Sequence, residues 1–223
     1  MVKKFMNQQV NKLIVSGCSF ATGYKLENGK ESAWPRLLAD KLFVPVINLA
    51  EAGRGNSYVF SSIVDYFMEN PDEKQTSLVI IGVTGYHRQD FYDSYGKNFI
   101  STVPEFKDAA TFIELFWKRY YNDEYYFTNY LRSVVLMQDY LKSNSIKYIM
   151  FNALNTNRLI KRNLSQLDQK YIESIDTELF LKMTMCDFIG FTPKSVLDDG
   201  HPSELGHKIM AEVLHANIKT IFD

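Results

Sequence analysis

At 223 residues, 46% apolar and 23% charged, the chain is long enough for one domain with a sizeable core and too apolar to be globally disordered. A formal net charge of −1 gives no electrostatic reason to bind nucleic acid or an acidic membrane, and basic pairs such as Lys3-Lys4 and Lys161-Arg162 are too short to track phosphates. The two cysteines, Cys18 and Cys186, make neither a disulfide framework nor a CxxC metal or redox pattern, and read as small apolar residues of a reduced compartment.

The opening stretch, MVKKFMNQQVNKLIVSG, is basic but lacks the apolar core of roughly 7–15 residues that a signal peptide needs. No run approaches the about 18 apolar residues of a membrane-spanning helix, so a soluble chain made in the cytoplasm is expected, its final location left open. Lys12 to Ser16 (KLIVS) is the first of four short β-branched runs that are apolar on both faces. A helix is expected from Ser32 to Leu42, then a strand at Val44 to Leu49 (VPVINL), a helix from Ser57 to Met68 and a strand at Leu78 to Val83 (LVIIGV). Tyr86 to Tyr130 is unusually aromatic (FYDSY, FIELFWKRYY, EYYFTNY) and too long for a plain connection, so it should hold at least one helix. Its aromatics read mainly as core, with a substrate wall or partner surface as the sharper alternative. A helix from Tyr130 to Lys142 leads to the fourth run, Ile146 to Phe151 (IKYIMF), and a short fifth strand is placed near Phe188 to Phe191. The last helix, Ser203 to Phe222, starts at Pro202-Ser203 and carries Leu205, Ile209, Val213 and Ile218 along one stripe. Apolar strands alternating with helices predict a flavodoxin-like three-layer α/β/α sandwich around a mostly parallel five-stranded sheet, as one domain.

In such a sheet, ligands bind beyond the carboxyl ends of the strands. The segments just after each run are polar or glycine-rich: Gly17-Cys18-Ser19-Phe20, Gly53 to Asn56, Thr84 to Arg88, Asn152 and Asn155, and, before the last helix, Asp198-Asp199-Gly200-His201-Pro202. They converge on one rim. A serine hydroxyl needs a base to take its proton, the base needs a carboxylate to hold its tautomer, and a tetrahedral oxyanion needs preorganised donors. His201, His207 and His215 lack the HExxH spacing of a metal site, and His207 reads as a helix residue packed near the site. There is no Gly-x-Ser-x-Gly nucleophile elbow.

Three blocks carry a resemblance. VSGCSFATG, VINLAEAGRGNS and LDDGHPSELGHKIMAEVL resemble the first, second and last blocks of the SGNH/GDSL hydrolases, the Asp-x-x-His-Pro of the last being the most specific. The resemblance covers the two ends and the first third of the chain, and it implies Ser19, Asp198 and His201 as a triad. Asp199, two residues from His201, is the rival carboxylate and fits the Asp-x-x-His spacing worse. The implied oxyanion donors are the N–H groups of Ser19 and Gly53 and a side chain after the third strand. There the family's Asn is replaced by Thr84, with His87 or Arg88 on the same loop able to substitute; Cys18 replaces the family's common Asp. Asn56, His87 and Arg88 are expected near the substrate. The implied reaction is hydrolysis of an ester, most simply an O-acetyl group on a carbohydrate, through an acyl-Ser19 intermediate without metal or organic cofactor. The GCSF start is also similar to compact SGNH-like chains encoded by bacteriophages. That likeness, with Thr84, motivates a second reading: a degenerate domain used as a binding or virion module, its aromatic segment serving a subunit or virion contact.

Overall fold

Strands form where β-branched runs can be buried on both faces. The computed structural model describes residues 10–92, 99–102, 111–154, 163–190 and 192–222; Asn155, Phe191 and parts of the aromatic segment lie outside them. β1 (Lys12–Ser16), β2 (Val46–Asn48), β3 (Ser77–Val83), β6 (Lys147–Asn152) and β7 (Phe180–Leu181) form one sheet in the order β2-β1-β3-β6-β7, every pair parallel. Counting only these strands, that is the 2-1-3-4-5 order of flavodoxin-like folds, whose ligand crevice opens between the first and third strands.

Alternation along the strands divides the core in two. Leu13, Val15, Leu78, Ile80, Ile149 and Phe151 face one side, where α2 (Trp34–Leu42) and α8 (Glu204–Phe222) pack. Ile14, Val79, Ile81, Val83, Tyr148 and Met150 face the other, against α3 (Asn56–Glu69) and α5 (Asp123–Ser143). All seven residues of β3 are buried, which explains why it runs without a polar side chain from Leu78 to Val83. None of the described helices is long and apolar enough to cross a membrane.

Three features differ from the sequence reading. The fifth strand is Phe180–Leu181, whereas the chain near Phe188 forms a short helix, α7 (Met185–Phe188). A capping box starts that helix: the Thr184 hydroxyl accepts from the Asp187 N–H, and the Asp187 carboxylate accepts from the Thr184 N–H. The buried face of α8 is Gly206, His207, Met210, Ala211, Leu214 and Ile218, while Leu205 is 44% exposed. A histidine in the apolar stripe concealed the register. The aromatic segment holds more than a helix. β4 (Gln89–Tyr92) and β5 (Phe99–Thr102) pair antiparallel, followed by α4 (Thr111–Leu115) and a π-helical turn, Phe116–Tyr120. Phe116, Phe127 and Tyr130 are buried, whereas Tyr120 and Tyr125 are exposed, so the segment is both core and surface.

Candidate active site

At the end of β1 the chain turns directly into α1 (Ser19–Thr22), with Cys18 extended and Ser19 the first helical residue. This single turn is too short to hold itself, and side chains from two neighbouring elements fix it. The Trp34 indole donates to the Phe20 carbonyl (3.0 Å), and the Asn48 amide donates to the Ala21 carbonyl (2.8 Å). Ser19 is 5% exposed. Asn48, the last residue of β2, thus does more than begin the Asn-x-Ala block: it anchors the turn that carries Ser19 to the sheet.

His201 stands on a closed turn. Val196 bridges to Pro202, the Leu197 N–H donates to the His201 carbonyl (2.7 Å), and the Gly200 N–H donates to the Leu197 carbonyl (2.9 Å). Gly200 takes φ of +82°, a left-handed conformation that a side chain would strain. The turn is pressed against the start of α8 at Gly206, where a Cβ would lie 2.2 Å from the Ser195 carbonyl oxygen. Only glycine permits that approach.

These two turns bring residues 182 positions apart into contact: His201 Nε2 lies 3.0 Å from Ser19 Oγ. The imidazole is flanked by the rings of Phe20 (5.4 Å) and Tyr24 (4.8 Å). On its other nitrogen the structure departs from the sequence reading. The carboxylate facing Nδ1 is that of Asp199, with Oδ2 at 3.2 Å, and Asp198 is exposed. The contact is close in distance but not aligned as a hydrogen bond; catalytic hydrogen bonds are commonly loose before substrate binds. The reason is local. Asp199 Oδ1 accepts from the backbone N–H of His201 (3.1 Å), the Asx-turn geometry in which a carboxylate reaches two residues ahead. Asp199 Oδ2 also meets the Lys25 ammonium at 2.5 Å. Lys25 first, then the His201 N–H, hold the Asp199 carboxyl well below the usual carboxylate range.

The expected oxyanion edge is built differently from its sequence reading. Gly53 lies in the loop after β2 at φ of +80°. Thr84 is fully buried, and its backbone N–H donates to Asn56 Oδ1 (2.9 Å) while its carbonyl accepts from Asn56 Nδ2 (3.1 Å). Both polar ends of Asn56 are therefore taken by Thr84. Asn56, expected to meet substrate, instead ties the loop after β3 to the first turn of α3. Asp90, unremarked in the sequence, completes that tie by accepting from the N–H groups of Gly55 (2.8 Å) and Tyr58 (3.0 Å). A carboxylate at a helix start is favourable, although burial pushes the Asp90 carboxyl up. His87 packs edge-on against Tyr86, and Arg88 buries Nε and Nη1 without a hydrogen-bond partner. No group of three His, Cys, Asp or Glu residues suited to a metal ion occurs among the described residues. An open groove of about 530 Å³ lies beside Lys25, lined among others by Lys194, Leu197, Ser203 and Glu204.

His207 serves this architecture from behind. Fully buried, it accepts the Trp34 backbone N–H at Nδ1 (3.1 Å), so the start of α2 depends on a neutral imidazole. Burial, with a smaller contribution from His201, holds His207 down at about 4 against an ordinary 6.5. The unfolded chain therefore takes up a proton near pH 6.5 that the folded chain refuses until about pH 4. Stability contributed by the neutral ring is complete above pH 6.5 and is lost as pH falls towards 4, on the order of 3 kcal/mol in all. Urea unfolding across this range should show a smaller loss for His207→Gln than for the wild-type chain.

No family model and no curated protein matches the sequence. Solved structures do match in fold. TesA superposes with a TM-score of 0.57 at 14% identity, over 95% of this chain and 99% of its own. The psychrotrophic esterase EstA from Pseudoalteromonas sp., determined in a form inhibited by monoethylphosphonate, gives 0.56 at 15% identity, over 94% and 97%. A carbohydrate esterase described as having divergent catalytic and non-catalytic binding functions gives 0.57 at 14% identity, over 98% of this chain and 72% of its own.

Proposed function

We propose, for a chain that has the SGNH fold of these esterases, that it hydrolyses carboxylic esters with Ser19 as nucleophile, His201 as general base and Asp199 as the carboxylate that orients His201. The observation that carries the reading is the 3.0 Å contact of His201 Nε2 with Ser19 Oγ, made at the carboxyl ends of the strands. A donor–acceptor pair at that distance passes the serine proton to the imidazole as the hydroxyl attacks the ester carbonyl. The resulting imidazolium then gives the proton to the departing alcohol, and water repeats the sequence on the acyl-serine. The backbone N–H groups of Ser19 and Gly53 are the proposed oxyanion donors, with Thr84 left as a structural residue.

An O-acetylated carbohydrate is the proposed substrate class. Tyr24, 43% exposed beside the His201 ring, offers an aromatic face to a sugar. Incubation with a fluorophosphonate, read by intact mass and peptide mapping, should place a single adduct on Ser19, with turnover of p-nitrophenyl acetate in the unlabelled protein. Absence of both adduct and turnover would overturn the esterase reading in favour of the binding or virion module.

A further inference from the structure

Gly23 to Leu26 form a tight turn, closed by the Leu26 N–H donating to the Gly23 carbonyl (3.0 Å), that places two consecutive side chains on the catalytic loop. Tyr24 lies against the His201 ring, and Lys25 reaches Asp199. Lys25 itself holds φ of +64°, one of three non-glycine residues at positive φ among the described residues. For an ordinary side chain that conformation is strained. The ion pair returns little of it, because the Lys25 side chain is 52% exposed and water screens the pair. Stability therefore does not account for the arrangement. The target of the ammonium does: the same oxygen, Asp199 Oδ2, faces both Lys25 Nζ and His201 Nδ1.

We propose that Lys25 is a positioning residue of the hydrolytic site: its ammonium fixes the Asp199 carboxylate against His201 and shares that carboxylate's charge with the imidazole. The inference rests on the esterase reading above. Two consequences follow from sharing one oxygen. The carboxylate is held on the ring side of its turn, so His201 keeps one orientation. The positive charge two contacts away also offsets part of the carboxylate's field at the imidazole, so loss of the ammonium leaves that field stronger. Around His201 stand Asp199 on its own turn, Tyr24 and Lys25 on the Gly23–Leu26 turn and His207 from α8, while Glu27, Lys194, Glu204 and Lys208 share the groove beside Lys25. Of these, His207 is uncharged above about pH 4 and adds nothing to the neutral-range profile.

The test is the pH dependence of kcat/KM for p-nitrophenyl acetate in the wild-type, Lys25→Met, Lys25→Arg and Ser19→Ala proteins. Lys25→Met should move the acid limb to higher pH by about half a unit or more and lower kcat several-fold. Lys25→Arg, which keeps the charge, should leave the limb in place. A purely structural contact would lower the rate without moving the limb. If the wild-type rate depends on Ser19 and the limb stays put in Lys25→Met, or shifts equally in Lys25→Arg, the inference is overturned alone. If the wild-type rate equals that of Ser19→Ala, the esterase reading is overturned and the inference with it.

Discussion

Replacing Ser19 by alanine is expected to lower kcat for p-nitrophenyl acetate by about 10⁴- to 10⁶-fold and to abolish fluorophosphonate labelling, with folding intact. The size of the loss follows from the chemistry: without Oγ no acyl-enzyme forms, and the residual rate is whatever water and the oxyanion donors achieve. Folding should survive because the turn is fixed by groups other than the Ser19 hydroxyl. Trp34 and Asn48 hold the carbonyls of Phe20 and Ala21, and Thr22 Oγ1 donates to the Ser19 carbonyl, a bond that alanine retains. His201 Nε2 loses its 3.0 Å partner, but His201 is only partly buried and water can replace the hydroxyl. A change in unfolding free energy of more than about 1.5 kcal/mol would show that Oγ has a structural role as well. Retained activity would place the nucleophile elsewhere.

The large features were legible because their signals are local and redundant. Strands β1, β3 and β6 were found within a residue because a fully buried parallel strand must be apolar on both faces, and few other segments here are. Ser19 and His201 were placed on one rim by the order of strands and turns, while the roles proposed for them rest on the family resemblance. What escaped depends on three-dimensional register. β7 pairs through two residues only, too few to show a pattern, and the T-x-x-D start of α7 went unread. In α8 the buried face includes His207, a residue type that hydropathy places outside, so the stripe was read one position out. Asn56 and Thr84 were assigned to chemistry by their position after a strand, yet their main-chain and amide bonds to each other are a tertiary fact. Lys25 and Asp90 had no sequence signal at all, since each acts on an element far away in the chain.

The choice between Asp198 and Asp199 is where family resemblance and geometry part, and the two variants should separate them. Asp199→Asn is expected to lower kcat about 10³- to 10⁴-fold, whereas Asp198→Asn should stay within about threefold of wild type. The amide keeps the Asx-turn acceptor for the His201 N–H, so the turn closed by Leu197 and His201 remains. It removes the negative charge that stabilises the imidazolium and can present an N–H to Nδ1, which favours the wrong tautomer for deprotonating Ser19. It also releases Lys25, leaving a cation beside a ring that must become positive. Those effects act in the transition state, so kcat should fall with little change in KM. Asp198 offers none of this, because the turn directs its neighbour Asp199 to the ring. The reverse result, with Asp198→Asn inactive and Asp199→Asn near wild type, would mean that the turn rearranges when substrate binds, bringing the carboxylate three residues ahead of His201 into place. Lys25 would then stabilise the resting turn, and its removal should raise activity rather than lower it.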